Sequence, residues 1–204
     1  MTRLTLLVGI AICLVVAGCR GNPAAPCESC VGLFAPGRVN MTFTPQEHGF
    51  EEAAEAYRRL WVDEGSTIVD AMERVSGLTF REKDIKAVIF EGPSHSGSGD
   101  QPMYLRASYP TDVKKGALVH ENGHRLIAQL TNRPRDLDEH RVLFLFLYDV
   151  YESLWGKDFA DRQVTFDRGL RGIYDYDSAW TWALSISKNE RASRFAAIVA
   201  DNRR

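Results

Sequence analysis

Two histidines and a glutamate, His120, Glu121 and His124, stand together in the run VKKGALVHENGHRLIAQLT, residues 113–131. On a helix, residues four apart share one face a turn apart, so the two imidazoles can reach one metal ion. Glu121 lies about 100° further round the helix. Its carboxylate then stands beside the ion rather than on it, where it can act on a water as a base. Chemistry of this kind is hydrolysis assisted by zinc. A catalytic zinc takes three protein ligands and leaves a fourth position open, so H-E-x-x-H needs one more residue.

The third ligand is expected where the chain returns after this helix. His140 heads an apolar stripe (Leu143, Phe144, Leu147, Tyr151, Leu154), where an imidazole needs a partner, and it is the first choice. Glu139, next to it, is the alternative third ligand, although it also fits a capping box with Asp136. Asp149, an acid in an apolar run, reads as a partner for a ligand histidine or for an arginine. His48 and His95 read as surface residues. Donors for a developing oxyanion are to be sought among Tyr109, Tyr148, Tyr151 and His95.

These residues need elements to hold them. Residues 113–131 carry a buried stripe of Gly116, Val119, Gly123, Leu126 and Leu130 at helical spacing. Before it, KAVIFE (86–91) and QPMYLRASY (101–109) read as strands that could pair as a hairpin across the polar loop 94–100. Earlier still, Thr44-Pro45-Gln46-Glu47 resembles a helix start, followed by apolar spacing to Gly77 in one long helix or two successive ones. Val39 to Thr44 reads as a short first strand. Later helices are expected over 137–155, 158–168, 178–186 (capped by Asp177) and 189–200. The fold class is therefore α+β: a backing helix, a short mixed or antiparallel sheet, the H-E-x-x-H helix and a mainly helical C-terminal half.

The chain of 204 residues is 45% hydrophobic with net charge −2, which suits one globular domain. No basic stripe appears, so nucleic acid is not an expected partner. Residues 1–19 read as a signal peptide, with a short basic start and an apolar run too brief for a membrane span. It ends in Val16-Ala17-Gly18-Cys19, which resembles the bacterial lipobox, and that resemblance implies lipidation of Cys19, export and a membrane anchor of acyl chains. The Gly- and Pro-rich segment 20–43 reads as a tether. Cys27 and Cys30 within it fit a small local disulfide in an oxidising compartment. The globular domain is expected to span 44–204.

Taken together, Thr44 to Trp155 resembles the zincin metallopeptidases, closest to a small gluzincin-like core. The resemblance implies Zn2+ held by His120 and His124, Glu121 as general base and acid, and a peptide or protein substrate. It further implies that the strand before the motif helix, here 101–109, receives an extended peptide along its edge. The metzincin class is excluded, since Leu130 stands where its third histidine would be. Gluzincins usually use glutamate as third ligand, and Arg125 replaces the uncharged residue usual after the second histidine. The expected function is a zinc-dependent peptidase anchored by lipid in the cell envelope. The alternatives are a non-catalytic binding module on the same fold and a zinc hydrolase of a non-peptide substrate.

Overall fold

A computed structural model describes residues 39–172 and 174–203. The signal peptide, Cys19 and the Cys27/Cys30 pair fall outside the described residues. The fold is α+β, as expected.

Strand β1 (Asn40–Pro45) opens the described chain, and Val39, Met41 and Phe43 are buried. The domain therefore begins before residue 44, inside the segment read as tether. Thr44 and Pro45 do not start a helix. They pair with Val88 and Ile89 of strand β2 (Asp84–Phe90). Proline is tolerated there because β1 is an edge strand with nothing to donate to on its outer side. A 3-10 turn, His48–Phe50, leads into α1 (Glu51–Ser76), a single unbroken helix closed by Gly77 in the left-handed conformation, φ 69°.

The sheet order is β1-β2-β4-β3, with β3 spanning His95–Ser96 and β4 Met103–Arg106. The hairpin expected between β2 and the 101–109 segment does not form. β4 runs parallel to β2, and the true antiparallel partner of β4 is β3, cut from the loop between them. The chain passes beyond β4's position, turns through 97–102 and inserts β4 between β2 and β3. Met41, Phe43, Ile85, Ala87, Ile89, Met103 and Leu105 alternate onto the buried face, following the two-residue period of the strand. Against that face lies α1, with Tyr57 stacked on Phe43 and its hydroxyl donating to Arg106 O at 3.0 Å.

Five helices follow: α2 (Thr111–Ile127), α3 (Glu139–Trp155), α4 (Lys157–Gly169), α5 (Tyr176–Ser185) and α6 (Lys188–Asp201). Every residue of α3 from Val142 to Tyr151 is buried. A helix apolar on all sides must be enclosed, and α3 packs against α1, α2, α4, α5 and α6. Two caps differ from expectation. Asp138, not Asp136, caps α3 by accepting from Arg141 N at 2.9 Å, and Asp175, not Asp177, caps α5. In both cases the carboxylate one turn ahead of the first free amide wins, and the helix starts where that contact is made.

A candidate three-histidine metal centre

Helix α2 is fixed at both ends and along its back. Lys114 Nζ donates to Ala107 O at 2.7 Å and to Tyr109 O, tying the first turn to the end of β4. Near the other end, buried Arg125 pairs with Glu82 and donates to Gln101 O, which answers why a charged residue follows the second histidine: it holds the loop before β4. Tyr151 of α3 donates to Gly116 O at 3.1 Å. Two glycines let other helices come close. A Cβ on Gly116 would lie 1.9 Å from Gln163 Oε1 of α4, and one on Gly123 would lie 2.5 Å from Leu143 Cδ1 of α3.

That close approach carries the first turn of α3 to the histidine face of α2. His120, His124 and His140 each offer a ring nitrogen, and these atoms lie within 4.8 Å of one another. In a tetrahedral site with bonds of about 2.05 Å the ligand nitrogens stand roughly 3.3 Å apart, so small ring rotations bring this triangle to size. His124 is half-buried and its Nδ1 lies 2.8 Å from Glu139 Oε1. Hydrogen bonding from His124 holds Glu139 below the usual carboxylate range, so Glu139 is the acceptor and the imidazole the donor. His124 Nε2 is thereby left free to bind a metal. Glu139 is used as the partner of a histidine rather than as the third corner of the triangle; that corner is His140. His120, nearly buried, has its Nδ1 3.9 Å from Asp167 Oδ2 of α4.

Burial sets the electrostatics. Desolvation, followed by the neighbouring His124 and His140, pushes His120 well below the usual imidazole range. His140 is lowered to about 4 by desolvation and then by His124, against the opposing pull of Asp138 and Glu139. Neutral imidazoles are what a metal ion requires of its ligands. Glu121, fully enclosed, is raised to about 7 by desolvation. Its Oε2 has no hydrogen-bond partner, an uncommon state for a buried carboxylate oxygen.

Glu121 and His120 open onto a cavity of about 160 Å³. Its innermost lining is buried: Gly116, Gln163, Asp167, His120 and Glu121. Tyr109, Phe166 and Tyr176 line it further out, with Tyr109 and Phe166 in edge-to-face contact at 5.4 Å. Of the expected oxyanion donors, only Tyr109 lines this space. The Tyr148 hydroxyl is bonded to Asp161 at 2.8 Å, Tyr151 is buried against Gly116, and exposed His95 stacks on Tyr104 at 4.7 Å. His48 is exposed and lies 2.6 Å from Glu51. Asp149 serves no histidine: it forms a buried bidentate pair with Arg191 of α6 at 2.9 and 3.0 Å.

Around the three histidines, Asp167, Tyr174 and Tyr176 were not among the residues expected. Asp167 is raised to about 7 by burial and accepts from Trp180 Nε1 at 3.0 Å. Its signal was present, since Ala160, Gln163, Val164 and Asp167 form the buried stripe of an amphipathic helix, and an acid on such a stripe needs a reason. Tyr174 stacks on His140 at 4.2 Å and donates to Asp138 at 2.7 Å, while Tyr176 lies edge-on to His140 at 5.0 Å. Tyr174 comes from the link after α4 and Tyr176 opens α5, where no periodicity marks them.

The expected substrate strand also changes. β4 lies between β2, which pairs along its whole length, and β3, which covers Met103 and Tyr104 on the other side, so at those residues the edge of the sheet passes to β3. The edge beside the cavity belongs to β3, and Pro93 and Ser94, which lead into it, are part of the cavity lining. Compared with known protein families, characterised proteins and solved structures, the chain has no match.

Proposed function

We propose that this chain is a zinc-dependent peptidase. The observation that carries the reading is a group of three mutually close histidine nitrogens, one of them from His120 in the lining of a cavity that also takes in Glu121, a buried glutamate with an unpartnered oxygen. An all-imidazole set of three with a fourth direction open is a donor set that suits catalytic zinc. A purely structural metal site needs no base next to it. A zinc ion held there supplies Lewis acidity toward water and toward the scissile carbonyl.

The rest falls to the chain's own residues. Glu121 accepts at Oε2 the proton of the attacking water and returns it to the leaving nitrogen, and burial adjusts its basicity toward neutral pH, where such a shuttle works best. Glu139 fixes the ring of His124, and Asp167 faces that of His120. Tyr109 and Tyr176 are the hydroxyls available to the oxyanion. An extended peptide adds along the outer edge of β3. We further propose that the chain is exported and held at a membrane through acylated Cys19, with the domain outside the cytoplasm. No helix among the described residues is long and apolar enough to cross a membrane.

The test is metal content and peptide-library cleavage of protein lacking residues 1–19, with and without chelator. One zinc per chain and cleavage abolished by chelator are expected. Glu121→Gln should keep the metal and lose turnover. A wild type that takes up no zinc, or a Glu121→Gln variant that cuts as well as wild type, sinks the reading.

A further inference from the structure

The cavity is polarised along its depth. Its buried end carries two acids, Glu121 and Asp167. Its outer lining carries two guanidinium groups, half-buried Arg106 and exposed Arg171. Arg106 is already engaged: Nε donates to Glu91 and to Ser108 Oγ at 3.1 Å, and the group lies over the Tyr109 ring at 5.6 Å. Arg171 is not. It donates through Nη1 to Arg168 O and to Leu170 O at 3.2 Å, contacts that hold the side chain against the end of α4. Among the described residues it forms no ion pair with a carboxylate, unlike its neighbours Arg162 and Arg168, which pair with Asp112 and Asp177.

From this arrangement we propose that the cavity selects peptides bearing a carboxylate close to the cleaved bond, held at the rim by Arg171 with Arg106 beside it. The inference rests on the peptidase reading and names its substrate class. Three features argue for it. A guanidinium anchored through one nitrogen presents its remaining N–H groups in a fixed fork, the geometry that binds carboxylates in pairs of hydrogen bonds. Arg106 and Arg171 are the two cationic side chains of the cavity lining and both stand at the rim, so a substrate carboxylate finds its partner there. Between floor and rim, Tyr109, Phe166, Leu170 and Tyr176 supply apolar walls, and a space of about 160 Å³ takes one side chain rather than a large ligand. The carboxylate has two sources, an aspartate or glutamate side chain or a free peptide C-terminus.

The experiment uses zinc-loaded protein carrying Glu121→Gln, so that binding is read without turnover. Calorimetry compares blocked alanine-based hexapeptides with one phenylalanine followed by glutamate, glutamine or lysine. A second arm compares a neutral peptide with free and with amidated C-terminus. At low salt, a preference of about five- to tenfold for the carboxylate is expected, the scale of one charge-assisted contact at a partly screened rim. Arg171→Gln should remove most of that preference, whereas Arg162→Gln, the same charge change off the cavity, should keep it. Preference in the glutamate arm alone marks an internal acid as the source, and preference in the C-terminal arm alone marks the chain end. Equal binding of glutamate, glutamine and lysine peptides overturns the proposal, and so does a preference that survives Arg171→Gln combined with Arg106→Gln. Cleavage by wild type is followed separately: peptides bound with the expected preference but never cut would leave the rim intact and refute the peptidase reading.

Discussion

At the residue scale, the site separates residues that would hold a metal from residues that hold those residues. His140→Ala removes a corner of the triangle and should abolish tight zinc binding. Glu139→Gln and Asp167→Asn leave the triangle in place and disturb the carboxylates facing His124 and His120. Each should lower zinc affinity by about 10- to 100-fold, the usual effect of losing such a partner. Competition against a chelator of known affinity ranks the three variants, and a Glu139→Gln loss as complete as that of His140→Ala would make Glu139 the ligand. His120, Glu121 and His124 were legible because a helix turns a four-residue spacing into adjacency. His140 was legible because an imidazole at the head of an apolar stripe demands a partner. Tyr176 was not, and Asp167 was marked only as an acid on a buried stripe, because their place beside the histidines depends on how α4 and α5 fold back over α2, which local spacing does not encode.

At the element scale, the extent of most helices could be read from apolar periodicity, but the sheet could not be ordered from it. The runs that became β2 and β4 have the right residues for strands. Nothing in either says that a two-residue strand will intervene and make them parallel. Pro45 shows a related conflict: proline suits both a helix start and an edge strand, and pairing with Ile89 decided it. The glycines of α2 have a sharper consequence. Gly123→Ala drives a methyl into Leu143, which is fully buried and has no room to retreat. Gly116→Ala displaces Gln163 from its bond to Asp112 O. Each should destabilise the fold by about 1–3 kcal/mol, the range for overpacking. Urea unfolding checks this, and Gly123→Ala should also weaken zinc binding because it pushes α3, and His140 with it, away from α2. An unchanged midpoint for both would mean that the helices are less closely packed than the geometry requires.

At the scale of the whole molecule, α3 is enclosed by five helices and yet carries one charge in its middle. Asp149 is matched by Arg191 from the last helix, with Lys188 Nζ 3.6 Å away. Removing the guanidinium leaves a buried carboxylate without its main partner, and Arg191→Ala should cost about 3–5 kcal/mol. Replacing both residues by leucine and methionine should recover much of that loss, since the pair also costs desolvation. Denaturant midpoints of the single and double variants decide it. A single variant as stable as wild type would show that Lys188 suffices. The C-terminal helix is thus more than a cover: of the two partners that sequence offered Asp149, a ligand histidine or an arginine, it supplies the arginine.

Motif and completion are separated along the chain. α2 supplies two histidines and the glutamate, but His140, Asp167 and Tyr176 arrive from α3, α4 and the start of α5. A chain ending after α2 holds the whole H-E-x-x-H signature and no centre. Thermodynamic linkage then makes zinc a ligand of the finished arrangement alone, so at a hundredfold excess over its dissociation constant it adds about 2.7 kcal/mol to native stability. That gain is directed at the docking of the C-terminal half, and amide exchange in α3 to α5 should slow on metal addition more than exchange in the outer strand β1.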